Sequence, residues 1–432
     1  MNPTINTPLD LPCGARLSNR LCKAALTEGL ADPMNRATPE LETLYRRWSL
    51  GGAGLLITGN VQCDRTHLER PGNVVIDNNG GLDALRSYAQ AGRTAGNHLW
   101  MQINHPGRQT PKSVNPNPLA PSAISLDVLG DNFGPPREAS EAEILDLIRR
   151  FAHVAVVARD TGFTGVQIHG AHGYLVSQFL SPLSNTRTDA WGGSLGNRAR
   201  FVLEIVRAMR AGVGADFPIS IKLNSSDFQK NGFTNEEAAQ VARWLQEAGI
   251  DLIELSGGTY EQLVMLGSGK EDEAAQPARE STRRREAYFL EYAALIKPQV
   301  TVPVMVTGGF RTRAGMNDAL GSGATDVIGL GRPFCTDPEV ANKLLAGTVD
   351  RIDAYELTKK LAADAPIPDG PPGLRQQIES FGQLGWFCLQ NIYLGQGLEP
   401  DTEMSVWDAY NRYGENEART AVRMIRPGAT VS

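Results

Sequence analysis

The chain has no apolar run approaching the ~18 residues that a membrane span needs, no long run of charge of one sign, and no Cys-x-x-Cys pair. The first absence, with a start (MNPTINTPLDLPCG) that has neither a basic nor an apolar leader segment, leads us to expect no membrane partner and a cytoplasmic protein. With Lys+Arg 42 against Asp+Glu 48 there is no basic footprint for nucleic acid either. The five cysteines, Cys13, Cys22, Cys63, Cys335 and Cys388, are odd in number and scattered. They offer no spacing for zinc, an iron–sulfur cluster or a dithiol, and read as reduced thiols in a core. Small molecules are left as the default partners.

What is present is alternation. Short β-rich runs are followed, again and again, by helical patterns. The strands expected are Arg20–Ala24, Leu55–Thr58, Leu99–Asn104, Gly165–His169, Ile219–Asn224, Leu252–Ser256, Val302–Thr307 and Asp326–Gly329. Runs such as GLLIT and VPVMV are continuously apolar, as parallel strands covered on both faces should be. Thr38-Pro39 reads as an N-cap with proline at the first helical position, and Ser140/Glu143 and Thr234/Glu237 have capping-box spacing. Ile144, Leu147, Ile148, Phe151 and Ala155 form one buried helical stripe. Eight β-then-α units predict an α/β fold, a (β/α)8 TIM barrel over residues 1–350, with 351–432 as a C-terminal helical and irregular extension packed on it.

Such a barrel carries its chemistry at the C-terminal strand ends, and polar residues gather there: Thr27 and Glu28, Asn60, Gln102 and Asn104, His169 and His172, Lys222 and Asn224. Gly308-Gly309 and Gly331-Arg332 open the loops after the seventh and eighth strands. There glycine lets backbone N–H groups approach an anion, and arginine offers a forked donor to a phosphate.

The blocks NRLCKAALTEG, QINHPGRQ, HGAHGYLVSQFLSPLSNTRTDAWGGSLGNRARF, ISIKLNSSDF, VTGGF and GLGRPF, from about Asn19 to Pro338, resemble the Old Yellow Enzyme family of FMN-dependent NAD(P)H oxidoreductases, the ene-reductases. The resemblance implies tightly bound, non-covalent FMN, NADH or NADPH as hydride donor, and an electron-poor alkene as substrate. It implies that Ala24, Ala25, Leu26, Thr27, Gly59, Gln102, His169, Lys222, Gly308, Gly309, Gly331 and Arg332 line the cofactor. Gln102 would meet the pyrimidine edge, Lys222 the N1–O2 region and Thr27 the C4 carbonyl; many relatives have proline where this chain has Ala25. A plainer reading of Lys222 is an ammonium paired with a carboxylate inside the barrel.

By the same resemblance the catalytic residues are His169 and His172, which bond the substrate's carbonyl or nitro oxygen, and Tyr174, which protonates the α-carbon while hydride arrives from flavin N5. No metal is expected. Arg187, Asp189, Gly192, Gly193, Asn197 and Arg198 read as a loop-shaping network, and His67, His98 and His153 as members of no constellation. The alternatives are a family member with another acceptor (a nitro compound, a steroid, a demethylation substrate or oxygen) and a barrel that binds without turnover. Acceptor identity depends on Ser113–Arg137 and Tyr260–Arg285, the latter holding a charged stretch, Lys270 to Glu286, that could close over the pocket. The extension, with Trp386 and Tyr393, could cap its own barrel or meet a neighbour in a homo-oligomer.

Overall fold

The computed structural model describes residues 2–126, 132–257, 290–371 and 373–425. The charged stretch Lys270 to Glu286 lies outside them, as does part of the segment after Ser113.

Eight parallel strands close a barrel: β1 (Leu21–Lys23), β2 (Leu55–Gln62), β3 (His98–Asn104), β4 (Gly165–Gly170), β5 (Ile219–Asn224), β6 (Leu252–Ser256), β7 (Val304–Thr307) and β8 (Val327–Leu330). Closure comes from β8 on β1, with Ile328 beside Leu21 and Leu330 beside Lys23. The expected strands are all found, two of them (Ile219–Asn224 and Leu252–Ser256) with the expected ends and six with ends moved by a few residues. The largest difference is β2, which runs to Gln62 instead of Thr58. A register shift between Ile57 and Asn60 lets it continue, and the Thr58 hydroxyl takes the N–H of Gln102 (2.9 Å). A bulge of this kind re-aims side chains next to a site.

Around the barrel lie α1 (Pro39–Leu50), α2 (Leu82–Ala91), α3 (Glu141–Asp160), α4 (Leu195–Val213), α5 (Asn235–Glu247), α6 (Leu290–Ile296), α7 (Arg313–Gly321) and α8 (Val340–Ala346). Both capping boxes form, at Ser140 and Thr234. Thr38 takes the N-cap position but not the cap bond, because its hydroxyl donates to the Leu30 carbonyl (2.7 Å). The α3 stripe is buried as expected.

Strand periodicity divides each residue pair between two environments. Outward residues join the helix layer in one large apolar cluster. At the lower end, inward residues Cys22, Leu55, Ile57, Trp100, Leu252, Met305 and Val327 pack with Leu11 and Leu17. Those two come from an N-terminal hairpin, Leu9–Asp10 with Arg16–Leu17, which therefore plugs the bottom. Higher up, the inward positions turn polar. Helix α9 (Leu374–Gly395) packs on α1 and on α10 (Val406–Arg423). Trp386, Phe387, Leu389 and Ile392 share an apolar cluster with Cys335 and Leu26, so the C-terminal helices rest on the first and last loops of their own barrel.

Candidate active site

Register fixes who meets whom inside the barrel. Gln102 stands beside Gln167, His169 beside Lys222, Lys222 beside Glu254 and Asn224 beside Ser256. The middle row is joined by contacts: Gln102 Nε2 donates to Gln167 Oε1 (2.7 Å), Gln167 Nε2 donates to Glu254 Oε2 (2.7 Å), and Lys222 Nζ lies 3.1 Å from Glu254 Oε1. The plainer expectation for Lys222, a buried ammonium with a carboxylate partner, is thus met. It is compatible with a ligand above, since an ammonium has three donors.

The upper row carries the imidazoles. The rings of His169 and His172 meet edge to face with centroids 5.0 Å apart, and Tyr174 meets His169 at 4.7 Å. The chain gets there by an uncommon turn: His172 has φ +62° and Gly173 +76°. Asn224 Oδ1 takes the His172 N–H (3.1 Å) and Gln109 Nε2 donates to its carbonyl (3.1 Å), which holds that conformation from both sides. Tyr174 is buried (5 % exposed) immediately before the short helix Leu175–Leu180, whose first N–H donates to the His105 carbonyl (2.9 Å). The loops after β3 and β4 are therefore one unit.

Burial, with His172 and Lys222 nearby, holds His169 well below the ordinary histidine range, and burial with Lys222 pushes His172 down to about 3. Both rings are neutral at pH 7, so each has one N–H to give. His169 Nδ1 accepts from the Ala171 N–H (3.3 Å), which puts its proton on Nε2. His172 Nε2 lies 2.7 Å from Ser256 Oγ; a serine proton directed at Nε2 leaves Nδ1–H as the donor. Unfolded histidine titrates near ~6.5, above the folded value. Unfolding therefore takes up protons between pH ~6.5 and about 3, and stability falls as pH drops through that window. In histidine NMR, the His169 and His172 signals stay in the neutral position from pH 8 to 5; a midpoint near 6.5 for either contradicts their burial.

The strand-1 and strand-2 residues have partners of their own within the protein. The Thr27 hydroxyl donates to Glu69 Oε2 (3.0 Å) and accepts from Asn60 Nδ2 (3.2 Å), so its one proton is already committed while Glu69 is ionised. Gly59 is required by its neighbours: a Cβ there would sit 2.4 Å from the Leu26 carbonyl oxygen and 2.3 Å from Glu28 Oε2, and its N–H donates to Glu28 Oε1 (2.8 Å). Ala24 is buried in the β1–β8 contact, its N–H on the Leu330 carbonyl (2.8 Å); Ala25 and Leu26 are half-buried.

Gly308 and Gly309 have φ +115° and +80°, a backbone that side chains disfavour. An arginine follows each glycine pair or turn in the chain: Arg332, its guanidinium against the Phe387 ring (5.6 Å), and Arg311, paired with Glu356. Burial lowers Arg332, with Arg311 adding repulsion and Glu356 opposing it. Arg311 was not expected from the sequence. Nor were Gln167, Glu254 and Ser256, although a lone glutamate in the apolar run LIELS was a signal that could have exposed the middle row.

His67 belongs to a constellation after all. With Asp64 and His105 it forms a group whose ligand atoms lie within 4.8 Å of one another. Their hydrogen bonds oppose metal binding. The Leu119 N–H is received by His67 Nε2 (3.0 Å) and the Gly107 N–H by His105 Nδ1 (3.1 Å). Each ring must then carry its proton on the other nitrogen, toward Asp64 (2.9 and 3.8 Å). Arg187, by contrast, is a loop organiser as expected, chelating Asp189 and donating to the Pro121 and Ala139 carbonyls.

The residues present suit FMN. The buried Thr307 Oγ and Asn60 Oδ1 have no partner, and the left-handed Gly308-Gly309 pair and Gly331, each with an arginine close by in the chain, suit a phosphate. Among the described residues no helix is long and apolar enough to cross a membrane. Residues 5–350 match the NADH:flavin oxidoreductase / NADH oxidase family. The NADH-dependent flavin oxidoreductase nadA of Aspergillus parasiticus is 39% identical over 361 residues, 80% of this chain and 79% of that protein. A 2-naphthoyl-CoA reductase structure is similar with TM-score 0.72 and 27% identity over 80% of this chain, which spans about half (52%) of that reductase. The old yellow enzyme homologue from Zymomonas mobilis is similar with TM-score 0.68 and 25% identity, over 85% of this chain and 100% of that one. The chain thus belongs to the NADH:flavin oxidoreductase / NADH oxidase family, the Old Yellow Enzyme family of FMN-dependent oxidoreductases.

Proposed function

We propose that this enzyme takes hydride from NADH and passes it to an electron-poor alkene, an enone, enal or nitroalkene, with His169, His172 and Tyr174 serving the alkene. The observation that carries this reading is the compact set of two imidazoles and one phenol at the end of β4 and in the loop after it, with ring centroids 5.0 and 4.7 Å apart. Bound FMN supplies the two-electron chemistry, accepting hydride from the nicotinamide and giving it to the alkene.

The chain's own residues do the rest. Gln102 and Lys222 would hold the polar edge of the ring system, while Gly308, Gly309, Gly331, Arg332 and Arg311 would hold the phosphate. His169 Nε2–H and His172 Nδ1–H would bond the substrate oxygen as negative charge develops there, a task neutral donors perform without giving up a proton. Tyr174, buried beside His169, keeps its proton for the α-carbon. The name of the Aspergillus relative supports NADH as donor.

The test is anaerobic titration of the yellow holoprotein. NADH bleaches the flavin and 2-cyclohexenone restores its colour. Bleaching by NADH with no recovery on enones or nitroalkenes, but recovery on air, would reassign the acceptor to oxygen.

A further inference from the structure

We propose that Glu254, fully buried inside the barrel, is the positioning residue that sets both the charge and the hydrogen-bond direction of the flavin's polar edge. This rests on the reading that Gln102 and Lys222 hold that edge. Glu254 is fully buried, between Ile253 and Leu255 on β6, where an uncompensated carboxylate is costly. Its two oxygens serve two different strands: Oε1 lies 3.1 Å from Lys222 Nζ on β5, and Oε2 takes the Gln167 Nε2 hydrogen at 2.7 Å on β4.

A carboxylate only accepts, so Gln167 must turn its NH2 group to Glu254 and its oxygen to Gln102. Gln102 must then donate to Gln167 (2.7 Å). The direction of the Gln102 amide on β3 is thus dictated from β6. Gln102 is left with one N–H and one C=O, a donor and acceptor side by side, which matches the imide edge of a pyrimidine ring. At the other end Glu254 cancels most of the field of Lys222. A bare ammonium at that edge favours added electrons; an ammonium with a carboxylate 3.1 Å away acts as a dipole. Glu254 therefore holds the flavin at a lower potential than lysine alone would, making it a stronger reductant toward the acceptor.

The test is a set of FMN midpoint potentials on purified holoproteins, with thermal melting alongside. Glu254→Gln should raise the reduced-to-oxidised ratio at fixed ambient potential about tenfold, ~30 mV for a two-electron couple. Lys222→Met should lower the ratio by at least as much. Lys222→Met/Glu254→Met removes the pair together and should return close to wild type; this variant carries the test if Glu254→Gln does not fold. Gln167→Leu should weaken FMN binding about tenfold with a smaller change in potential. A purely structural carboxylate would lower the melting temperature without moving the potential. The proposal is overturned if Glu254→Gln binds FMN at the wild-type potential, or if the double variant matches Lys222→Met alone. If Lys222→Met itself leaves the potential unchanged, the fault lies with the placement of the flavin edge.

Discussion

Replacing Tyr174 by phenylalanine is expected to slow reoxidation of the reduced enzyme by 2-cyclohexenone by about 10²–10⁴-fold, the usual worth of a positioned general acid, and to leave reduction by NADH near the wild-type rate. The asymmetry follows from the chemistry. Saturating the alkene needs a proton at the α-carbon, whereas hydride from the nicotinamide needs none. Burial of Tyr174 against His169 restricts access for a substitute water. Phenylalanine keeps the ring and its edge-to-face contact, so the fold should be undisturbed. Stopped-flow measurement of the two half-reactions separates them, and equal rates in both for wild type and variant would remove Tyr174 from its role.

The second large effect belongs to the imidazoles. His169→Ala/His172→Ala should abolish the long-wavelength band that phenols give in this family and reduce alkene turnover by about 10²–10³-fold, comparable to the loss of an oxyanion donor. The two rings act as a unit, so single replacements should each account for most of the loss. Flavin binding should survive, because on the proposed reading its polar edge is held from β3 and β5. A double variant with an unchanged phenol band would mean that the substrate oxygen is held elsewhere.

Much of this was legible in the sequence because it is local. Ile219–Asn224 and Leu252–Ser256 were read with the ends the structure gives them, since a parallel strand buried on both faces leaves a continuous apolar run. The cap at Ser140 was legible because a capping box fits within four residues. The imidazoles and Tyr174 were marked by a motif, and the structure adds the left-handed turn that presents them. What escaped was long-range or inward. Arg70 pairs with Glu417 and stands over the Tyr413 ring, joining residues with no local signature. The His67–Asp64–His105 group needs the loops after β2 and β3 side by side. The hydrogen bond from the Thr27 hydroxyl to Glu69, 42 residues away, has no local signature either. Glu254 was visible as a charge in an apolar strand, but only the closed barrel says which strands its oxygens serve.

On the proposed reading the strand-end residues hold FMN by its edge and phosphate, and the imidazole pair stands above the open face to hold an oxygen. A crystal structure of the holoprotein with a bound phenol decides it. The expected result is FMN in contact with Gln102, Lys222 and Arg332, and a phenolate oxygen within hydrogen-bond distance of His169 Nε2 and His172 Nδ1. A phenol bound away from both rings, or a flavin edge that meets neither Gln102 nor Lys222, would contradict it.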